Sequence, residues 1–304
     1  MIRKILIFLI CLNCSTLWAA ENSARNFEQK CDYTTAIVLG VTQGVTEFLP
    51  ISSTGHMILA NEVLSKKNNG TDSADYRRAI NSYFAIIQCG SILAVALIFR
   101  RRILSMFFAI CGRSAEGGHL VKNLLISLCP AALAGLFLDG ILQKLLYNPT
   151  SIACALIFGA GLIFMAERKY SHGRNSLNLS ELQALPCLKI GLWQCLALVP
   201  GMSRSMVTIL GGYYCKLKRK EAAEYSFLLG FAMLSSATIF KLIRDRGVIF
   251  ECLAVPTFLL GIFVAFIFSI LSIKIFLNFI STKGMGLFAW YRIVLGFLIF
   301  ILLK

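Results

Sequence analysis

The fold of this chain is decided by an interrupted apolar stretch, which reads GVTQGVTEFLPISSTGH over residues 40–56. The stretch lies within an apolar segment that runs from about residue 34 to 62, and residues 50–56 break that segment midway. Broken backbone at membrane depth is tolerated only where it is buried in protein or lines a wet cavity. The break therefore indicates a site-forming element inside a membrane protein.

A second apolar segment, residues 187–213, is broken in the same way by the sequence PGMSRS at residues 200–205. In the first segment a Gly-x-x-Gln pair precedes Pro-x-x-Ser, and the second repeats this order about 150 residues later, with one gap. The matching residues are Gly40, Gln43, Pro50 and Ser53 in the first segment and Gly191, Gln194, Pro200 and Ser203 in the second. Interrupted segments in corresponding halves favour an inverted repeat with the site between the halves. Two unrelated Gly/Pro kinks are the alternative.

The composition places the chain in a membrane. Of its 304 residues 57% are hydrophobic and 15% are charged, and the mean hydropathy is +0.74, whereas soluble domains carry about 25% charged residues. Lengths near 20 residues suit helices that cross a hydrocarbon core of about 30 Å. Further apolar segments of this kind lie near residues 81–99, 121–142, 151–166, 222–242, 248–280 and 286–303. We therefore expect an all-α polytopic bundle, with residues 31–304 forming a single transmembrane domain.

Residues 1–30 form a separate N-terminal segment. Basic Arg3 and Lys4 precede an apolar run at residues 5–12 and two alanines at residues 19–20, which resembles a cleavable signal peptide. Trp18 or Leu17 occupies the position that normally carries a small residue before cleavage. An additional uncleaved helix is therefore the competing interpretation.

Basic residues outnumber acidic ones by 30 to 15 and cluster at the ends of apolar segments. This distribution follows the positive-inside rule and attracts anionic lipid headgroups, and it lacks the interleaved aromatic residues of a nucleic-acid-binding surface. Nucleic acid is thus excluded as a partner. Residues 100–102 and 169–174 are predicted to be cytoplasmic, with the segments between them crossing outward and back. The main basic clusters are residues 100–102, 216–220 and 241–246.

Glu47 is the first candidate functional residue, because it lies in a mostly apolar run that begins at Ala36. An ionised carboxylate at the centre of a bilayer costs about 2.5–3.5 kcal/mol on insertion scales, so such a residue defaults to a functional role. We expect Glu47, assisted by the Gln43 amide, to bind a divalent cation such as Mg²⁺ or Ca²⁺. A carboxylate hydrogen-bonded at the interface for structure is the alternative.

Arg204 lies in the second broken segment, flanked by hydroxyl side chains. Its planar guanidinium suits the oxygens of a phosphate, and a following helix start would add backbone N–H donors. A structural Arg–Glu pair between the two segments is the alternative, and it equally requires that the segments meet. The hydroxyls expected to bind phosphate beside Arg204 belong to Ser52, Thr54, Ser203, Ser205 and Thr208.

His56 is the only histidine within an apolar segment. Imidazole can act as a nucleophile or as a proton donor to a leaving group, although a lone histidine is more often structural. Phosphoryl transfer depends mainly on positioning and on neutralising oxyanions, which suits a carboxylate, an imidazole and a guanidinium contributed by two elements. The residues therefore predict phosphate removal from a lipid diphosphate. The sequence has no GxxxxGK[ST] loop, which disfavours ATP-driven transport.

These motifs resemble the bacitracin-resistance family of undecaprenyl-diphosphate phosphatases. The family signature (E/Q)GxxEFLPxSSTGH matches residues 43–56, and PGxSRSG matches residues 200–206 except at its last position. The resemblance extends over residues 34–304 and includes the flanking segments 87–95, 222–229 and 291–296. It implies six membrane-crossing helices and two re-entrant helical hairpins, related as inverted repeats.

The resemblance also implies a reaction: hydrolysis of undecaprenyl diphosphate to undecaprenyl phosphate and phosphate, with a divalent cation, on the periplasmic side of the bacterial inner membrane. The product is the recycled lipid carrier of cell-wall synthesis, and the activity confers bacitracin resistance. Membrane lipids and a second copy of the chain are the expected partners. By position, Glu47 and Gln43 correspond to the acidic motif, Ser53 and His56 to the catalytic Ser and His, and Ser203 and Arg204 to the phosphate-binding pair.

Two departures from the family pattern carry expectations of their own. Gln43 stands where many members have Glu, so a metal site with two carboxylates is not formed. Met206 replaces a glycine, and its side chain is expected to restrict the approach of the backbone to phosphate and thereby to affect turnover. A polyprenyl-phosphate flippase is the alternative function, because inverted repeats with broken helices also build transporters. A non-catalytic scaffold is disfavoured by the intramembrane Glu, His and Arg.

Overall fold

The computed structural model describes residues 32–67, 74–146, 148–170, 176–244 and 256–302. Within these ranges the regular structure is helical, which agrees with the predicted all-α class. The signal-like segment predicted at residues 1–30 lies outside the described residues. The helices are α1 (Tyr33–Thr46), α2 (Ser53–Lys67), α3 (Ala74–Ile98), α4 (Arg100–Ile110), α5 (Ala115–Leu146), α6 (Pro149–Lys169), α7 (Ala184–Cys195), α8 (Arg204–Tyr214), α9 (Arg219–Arg244), α10 (Pro256–Lys283) and α11 (Gly286–Leu302).

Four helices of the described chain are long and apolar enough to cross a membrane: α6, α10 and large parts of α5 and α9. The α3 residues Tyr83–Ile98 and helix α4 form a fifth candidate, bent by 86°. Helix α11 has 17 residues and is about 26 Å long at 1.5 Å per residue, which is shorter than a hydrocarbon core of about 30 Å. The multi-pass membrane character of the prediction is confirmed. Helix length alone gives four or five crossings where the prediction has six.

Large apolar side chains on the outside of the bundle agree with a lipid surround. On α5, Leu136 and Phe137 are 81% and 79% exposed, and on α11 Trp290 is 62% exposed. Fully exposed leucine and phenylalanine side chains in such numbers would form aggregation-prone patches on a protein surrounded by water. The apolar outer surface of the helices therefore faces the hydrocarbon.

The two predicted breaks separate pairs of helices that pack against each other. The first hairpin is α1, residues 47–52 and α2, and the second hairpin is α7, residues 196–203 and α8. Pro50 contributes to the first break because its ring removes a backbone N–H donor. Gly201 contributes to the second break with a φ of +96°, a conformation that favours glycine. Both breaks overlap the predicted interruptions at residues 50–56 and 200–205, but they begin three and four residues earlier, and residues 53–56 and 204–205 already belong to helices.

The two ends of each hairpin lie together. Leu177, before α7, pairs with the strand-like turn after α8: its N–H donates to Lys216 O (2.8 Å), and Lys218 N–H donates to Leu177 O (3.1 Å). In the first hairpin, Ala36 near the start of α1 and Leu64 near the end of α2 belong to one apolar cluster. Each hairpin therefore returns to the end of the bundle from which it starts.

Each hairpin packs against a long helix of the other half of the chain. Helix α1 packs along α10, and helix α7 packs along α5. Glycines of the repeated motif mark the closest points: a Cβ on Gly40 would lie 2.8 Å from Gly261 O, and one on Gly191 would lie 2.5 Å from Ser127 O. The repeated glycines are therefore explained by close backbone approach.

The structure corrects the alignment of the two hairpins. Helices α2 and α8 start directly after Ser52 and Ser203, whose φ angles are +70° and +69°. Both hydroxyls accept a bond from the N–H three residues later, Gly55 and Met206, at 3.4 Å. The predicted match of Ser53 with Ser203 is therefore wrong by one residue, because it followed the prolines rather than the helix starts. A constant offset of 151 residues, without a gap, pairs Gly40 with Gly191, Gln43 with Gln194 and Ser52 with Ser203.

Candidate active site

The tips of the two hairpins meet through a buried ion pair. Glu47 Oε1 lies 3.2 Å from Arg204 Nη2, and the two side chains are 7% and 9% exposed. The other carboxylate oxygen, Oε2, accepts bonds from Gln43 Nε2 (3.1 Å) and Ser53 Oγ (2.9 Å). The predicted meeting of the two broken segments is confirmed. It joins the acidic side chain of one half to the guanidinium of the other.

Arg204 is held by more than its carboxylate partner. Its Nη1 donates to Ser226 O of α9 (2.9 Å), and its guanidinium lies 6.0 Å from the centre of the Phe48 ring. A Cβ on Gly230 would lie 2.1 Å from Nη1, so glycine at this position leaves room for the guanidinium. The buried Nε makes no hydrogen bond within the described part of the chain. One donor of Arg204 is thus left unpaired among the described residues.

Two serines of the second hairpin tie it to the first. Ser205 Oγ donates to Leu49 O (2.8 Å), and Ser203 Oγ lies 3.5 Å from the same oxygen and 3.0 Å from Ser205 Oγ. Both were predicted to bind phosphate, and in this conformation both join the two tips. Their predicted contact with phosphate requires that these bonds be exchanged for bonds to the ligand.

The remaining hydroxyls differ in position. Ser52 Oγ accepts the Gly55 N–H bond, and Thr54 is half-buried in the first turn of α2. Thr208 Oγ1 is buried, donates to Arg204 O (2.8 Å) and lies 2.6 Å from Ser226 Oγ. The structure therefore directs Thr208 toward α9 and away from the tip of the first hairpin, and it gives no support to a phosphate contact there.

His56 lies one turn into α2 and bonds to α11. Its Nδ1 is 2.7 Å from Ser52 O, and its Nε2 is 2.7 Å from the hydroxyl of Tyr291, whose ring stacks on the imidazole at 5.6 Å. Because a carbonyl oxygen only accepts, Nδ1 carries the proton of the neutral ring and Nε2 accepts from Tyr291. In this tautomer Nε2 can act as a base or a nucleophile once the tyrosine hydroxyl leaves it.

Arg292 connects both hairpin tips and was missed as a site residue. It is 0% exposed, although it carries a charged group inside an apolar helix. Its three guanidinium nitrogens donate to four backbone carbonyls, those of Pro50 (3.2 Å), Gly201 (3.0 Å), Ala155 (3.2 Å) and Leu156 (3.2 Å). Pro50 and Gly201 are themselves 151 residues apart. Arg292 therefore binds the equivalent carbonyl of each hairpin and fixes both to α6.

The two helix starts at the tips are strained. Ser52 and Ser203 adopt left-handed backbone conformations, which cost of order 1–3 kcal/mol for residues other than glycine and cluster at functional sites. The backbone turns at these two serines place the N-terminal ends of α2 and α8 at the junction of the hairpins. Helix N-termini favour anions because their first N–H groups are unpaired. Together with Arg204 they make the junction suitable for an anionic group.

The profile of the bacitracin resistance protein BacA family matches residues 36–298. The chain belongs to this family. It is 38% identical over 266 residues to undecaprenyl-diphosphatase 1 of Chromobacterium violaceum, covering 87% of this chain and 94% of the relative. It is 36% identical over 264 residues to the undecaprenyl-diphosphatase of Ectopseudomonas mendocina (87% and 91% covered). With the undecaprenyl-diphosphatase of Clostridium tetani the identity is 34% over 267 residues (88% and 95% covered).

Met206, the departure from the glycine of the family signature, lies in the core. It is 0% exposed, and its Cε is 3.1 Å from where a Cβ on Gly159 of α6 would lie. The constant offset pairs it with Gly55 of the first hairpin. The expectation that Met206 restricts the approach of phosphate therefore has no support, because its side chain fills space between α8 and α6.

The second hairpin lacks the acidic group of the first. Gln194, the counterpart of Gln43, is 1% exposed, and neither atom of its amide has a hydrogen-bond partner within the described residues. Four residues later the first hairpin has Glu47, which accepts the amide bond, whereas the second has Leu198. The carboxylate is thus contributed by one half alone.

The residues around Glu47 fit a cation that is shared with a ligand. The described residues contain no group of three or more His, Cys, Asp or Glu side chains placed to hold a metal. Glu47 offers one carboxylate, and Gln43, whose Nε2 donates to it, retains its amide oxygen as a second ligand. Mg²⁺ commonly binds through one or two carboxylates plus substrate phosphates and water. One carboxylate and one amide oxygen are thus the donors that Glu47 and Gln43 would contribute to a metal bound together with a diphosphate.

Proposed function

We propose that this chain hydrolyses undecaprenyl diphosphate to undecaprenyl phosphate and inorganic phosphate. The observation that carries the proposal is the buried Glu47–Arg204 pair at the junction of the hairpins, in a chain of the BacA family whose relatives are named undecaprenyl-diphosphatases. The reaction returns the lipid carrier to cell-wall synthesis, and it accounts for bacitracin resistance.

Binding is assigned to the basic side of the junction. Arg204 has a planar fork of donors and an unpaired Nε, and the start of α8 adds backbone N–H groups. Diphosphate oxygens would accept the bond that Arg204 Nη2 now donates to Glu47. They would also accept the bond that the Ser205 hydroxyl now donates to Leu49 O. Mg²⁺ or Ca²⁺, when held by Glu47 and Gln43, would neutralise charge on the diphosphate.

Proton removal is assigned to Glu47. Its Oε2 is 2.9 Å from Ser53 Oγ, which is the spacing of a base and an activated hydroxyl. Glu47 would take the Ser53 proton while Oγ attacks the terminal phosphorus, and the bond to undecaprenyl phosphate would break. Hydrolysis of the phosphoserine would complete the reaction.

His56 is the second candidate nucleophile, because its Nε2 carries a lone pair and its Nδ1–H is fixed by Ser52 O. Quenching the enzyme during turnover with acid or with alkali, and measuring the phosphate that stays bound to the protein, distinguishes Ser53 from His56 as the nucleophile. Phosphoserine survives acid and is lost in alkali, whereas phosphohistidine behaves in the opposite way. A phosphoenzyme stable only in alkali would transfer the role from Ser53 to His56.

The proposed topology has six crossing helices, α3, α5, α6, α9, α10 and α11, and two re-entrant hairpins in an inverted repeat. Three observations support it: the backbone bonds that join the ends of the second hairpin, the packing of each hairpin on the other half, and the constant offset of 151 residues. With basic residues 100–102 in the cytoplasm, the first hairpin would enter from the periplasm of the bacterial inner membrane. The site would face the periplasm, and a homodimer is the expected assembly.

Phosphate release from undecaprenyl diphosphate by purified protein in detergent, with and without a chelator, tests the proposal. We expect chelator-sensitive release that is lost in the double variant Glu47→Gln/His56→Ala. The matched control is Glu116→Gln/His119→Ala, which changes the same residue types at exposed positions of α5. Substantial hydrolysis by the first double variant would remove the catalytic assignment. A flippase, which is not favoured by the names of the relatives, would transfer lipid between leaflets without releasing phosphate.

A further inference from the structure

A basic groove lies at the bend between α3 and α4, apart from the junction of the hairpins. It has a volume of about 730 Å³ and is bounded by α3, α4, α9 and α10. The side chains on its wall that carry charge are Arg100, Arg101, Arg102, Lys220, Glu224 and Lys274. Five cations face one carboxylate there, so the groove is suited to an anion.

Little of this positive charge is neutralised by the protein. Glu224 pairs with Arg102 at 3.4 Å, and the two side chains are 14% and 34% exposed. Arg100, Arg101 and Lys274 are exposed, and none of them forms a salt bridge with another described residue. The groove therefore keeps unpaired cations at its rim.

In the proposed topology, the groove lies at the level of lipid headgroups. Helix α4 turns by 86° from α3, and it exposes apolar side chains, among them Phe107 (60%) and Ile110 (76%). A short helix that crosses the bundle direction with exposed apolar and basic side chains is typical of the membrane–water interface. In the proposed topology, the bend at residue 99 lies where the bilayer changes from hydrocarbon to headgroups.

Apolar tracks lead away from the groove along the lipid-facing sides of two helices. Leu97 of α3 lines the groove, and Leu93 continues its face, 46% and 54% exposed. On α10, Leu271 and Ile267, which precede Lys274 by about one and two turns, are 49% and 38% exposed. Free phosphate would use the cations only, whereas a lipid would use the cations and both tracks.

We propose that this groove binds the phosphodiester headgroup of an anionic glycerophospholipid, with its acyl chains along α3 and α10. Basic pockets between transmembrane helices at the cytoplasmic side are suited to such headgroups. The site is separate from the diphosphate site at the hairpin junction.

Native mass spectrometry of the full chain in detergent, titrated with POPG or with POPC, tests this assignment. The triple variant Arg100→Gln/Arg101→Gln/Lys274→Gln removes three cations of the groove and spares the Arg102–Glu224 pair. The matched control Arg168→Gln/Lys169→Gln/Lys283→Gln removes three exposed cations outside the groove. We expect preferential POPG binding that weakens about tenfold or more in the first variant and stays unchanged in the control.

Three outcomes would overturn the proposal. Equal loss of POPG binding in both triple variants would indicate diffuse attraction to surface charge. Equal binding of POPG and POPC by the unmodified chain would remove the role of headgroup charge. Displacement of POPG by inorganic phosphate at equal concentration would indicate a site for soluble anions. If the triple variant does not fold, the titration is repeated with the single variant Lys274→Glu. Loss of POPG binding in this variant would support the site, and unchanged POPG binding would refute it.

Discussion

Glu47 and Arg204 lie in the interior with less than a tenth of each side chain exposed. The charge of each side chain is therefore compensated by the other. Breaking a buried pair leaves one charge uncompensated, which costs more than removing both. The pair that stabilises the junction also presents a carboxylate and a guanidinium to a diphosphate. The contribution of the pair to the stability of the fold and its contribution to catalysis can therefore be separated only by comparing the single variants with the double variant.

A double-mutant cycle on this pair makes the separation. We expect Glu47→Gln and Arg204→Gln each to lower the free energy of unfolding by about 3–5 kcal/mol, because each leaves an unpaired buried charge. The double variant should recover part of this loss and still release no phosphate. Unfolding in mixed micelles and a phosphate-release assay measure the two quantities. Recovery of hydrolysis in the double variant would contradict a catalytic role.

Tyr291 should influence turnover through His56. Tyr291→Phe removes the hydroxyl on Nε2 and keeps the stacked ring, whereas Tyr291→Leu removes both. We expect the first change to alter kcat and its pH profile with little effect on stability, because one partly exposed hydrogen bond is lost, about 1 kcal/mol. Val294→Ala on the lipid-facing side of α11 is the control. An unchanged pH profile in Tyr291→Phe would mean that the hydroxyl does not affect His56.

Charged residues within apolar runs could be predicted as candidate site residues, and the structure brings two of them, Glu47 and Arg204, together. Arg292 satisfies the same criterion within α11, but residues 291–296 entered the prediction only as a flank that matches the family. The same criterion could not decide which serine and threonine hydroxyls bind a ligand. Ser205 and Thr208 can bond to backbone or to ligand, and only their neighbours in space decide which.

At the scale of the elements, the breaks could be predicted because Pro, Gly and charge interrupt apolar runs. The 86° bend between α3 and α4 could not, since it occurs at Phe99 without proline or glycine. In the proposed topology α3 leaves the bilayer at residues 100–102, and the bend keeps the exposed apolar side chains of α4, Phe107 and Ile110 among them, at the membrane surface. The alignment of the hairpins was also wrong by one residue, because the equivalent positions are the serines that precede the following helices, and not the prolines.

The packing of each hairpin on the opposite half makes a prediction about glycine. Gly40→Ala and Gly191→Ala would place a Cβ within 2.8 and 2.5 Å of backbone oxygens. Each should therefore lower the free energy of unfolding by about 1–3 kcal/mol. Gly161→Ala in α6 is the control, since no atom lies within 4 Å of its Cβ, and alanine should stabilise that helix by up to about 1 kcal/mol. Equal effects at all three positions would mean that helix propensity, and not packing, sets the outcome.

At the scale of the whole molecule, Arg292 joins elements from both halves. Replacing it leaves the carbonyls of both hairpin tips without donors, at about 1–3 kcal/mol for each buried group that stays unpaired. We expect Arg292→Met to lower the free energy of unfolding by at least about 3 kcal/mol and to reduce hydrolysis. Arg292→Lys should recover little, because an ammonium lacks the planar fork.

The exposed residue Arg168 provides the control for this prediction, since Arg168→Met changes the same side chain outside the bundle interior. Unfolding in mixed micelles measures the stability of both variants. If Arg292→Met were as stable and as active as Arg168→Met, the four carbonyl bonds would not be responsible for holding the tips together.

The overall class of the molecule could be predicted because composition and segment length depend on the bilayer alone. The number of crossings depends on how short helices such as α11 sit within the bundle, and neither length nor hydropathy fixes that. The sequence predicted that the two halves are related as a repeat, but not that the hairpin of each half packs against a long helix of the other. Which long helix each hairpin contacts is set by Gly40 and Gly191, whose partners Gly261 and Ser127 are distant in sequence, at 221 and 64 residues.

The Glu47–Arg204 pair also has a consequence for synthesis on the ribosome. The two residues are 157 positions apart, so at about 5–20 residues per second the carboxylate is made about 8–30 s before its cation. During that interval the nascent first half carries an acidic group in the translocon or bilayer without its partner. A chain released before residue 204 would lack the means to bury that group and would become a substrate for membrane proteases.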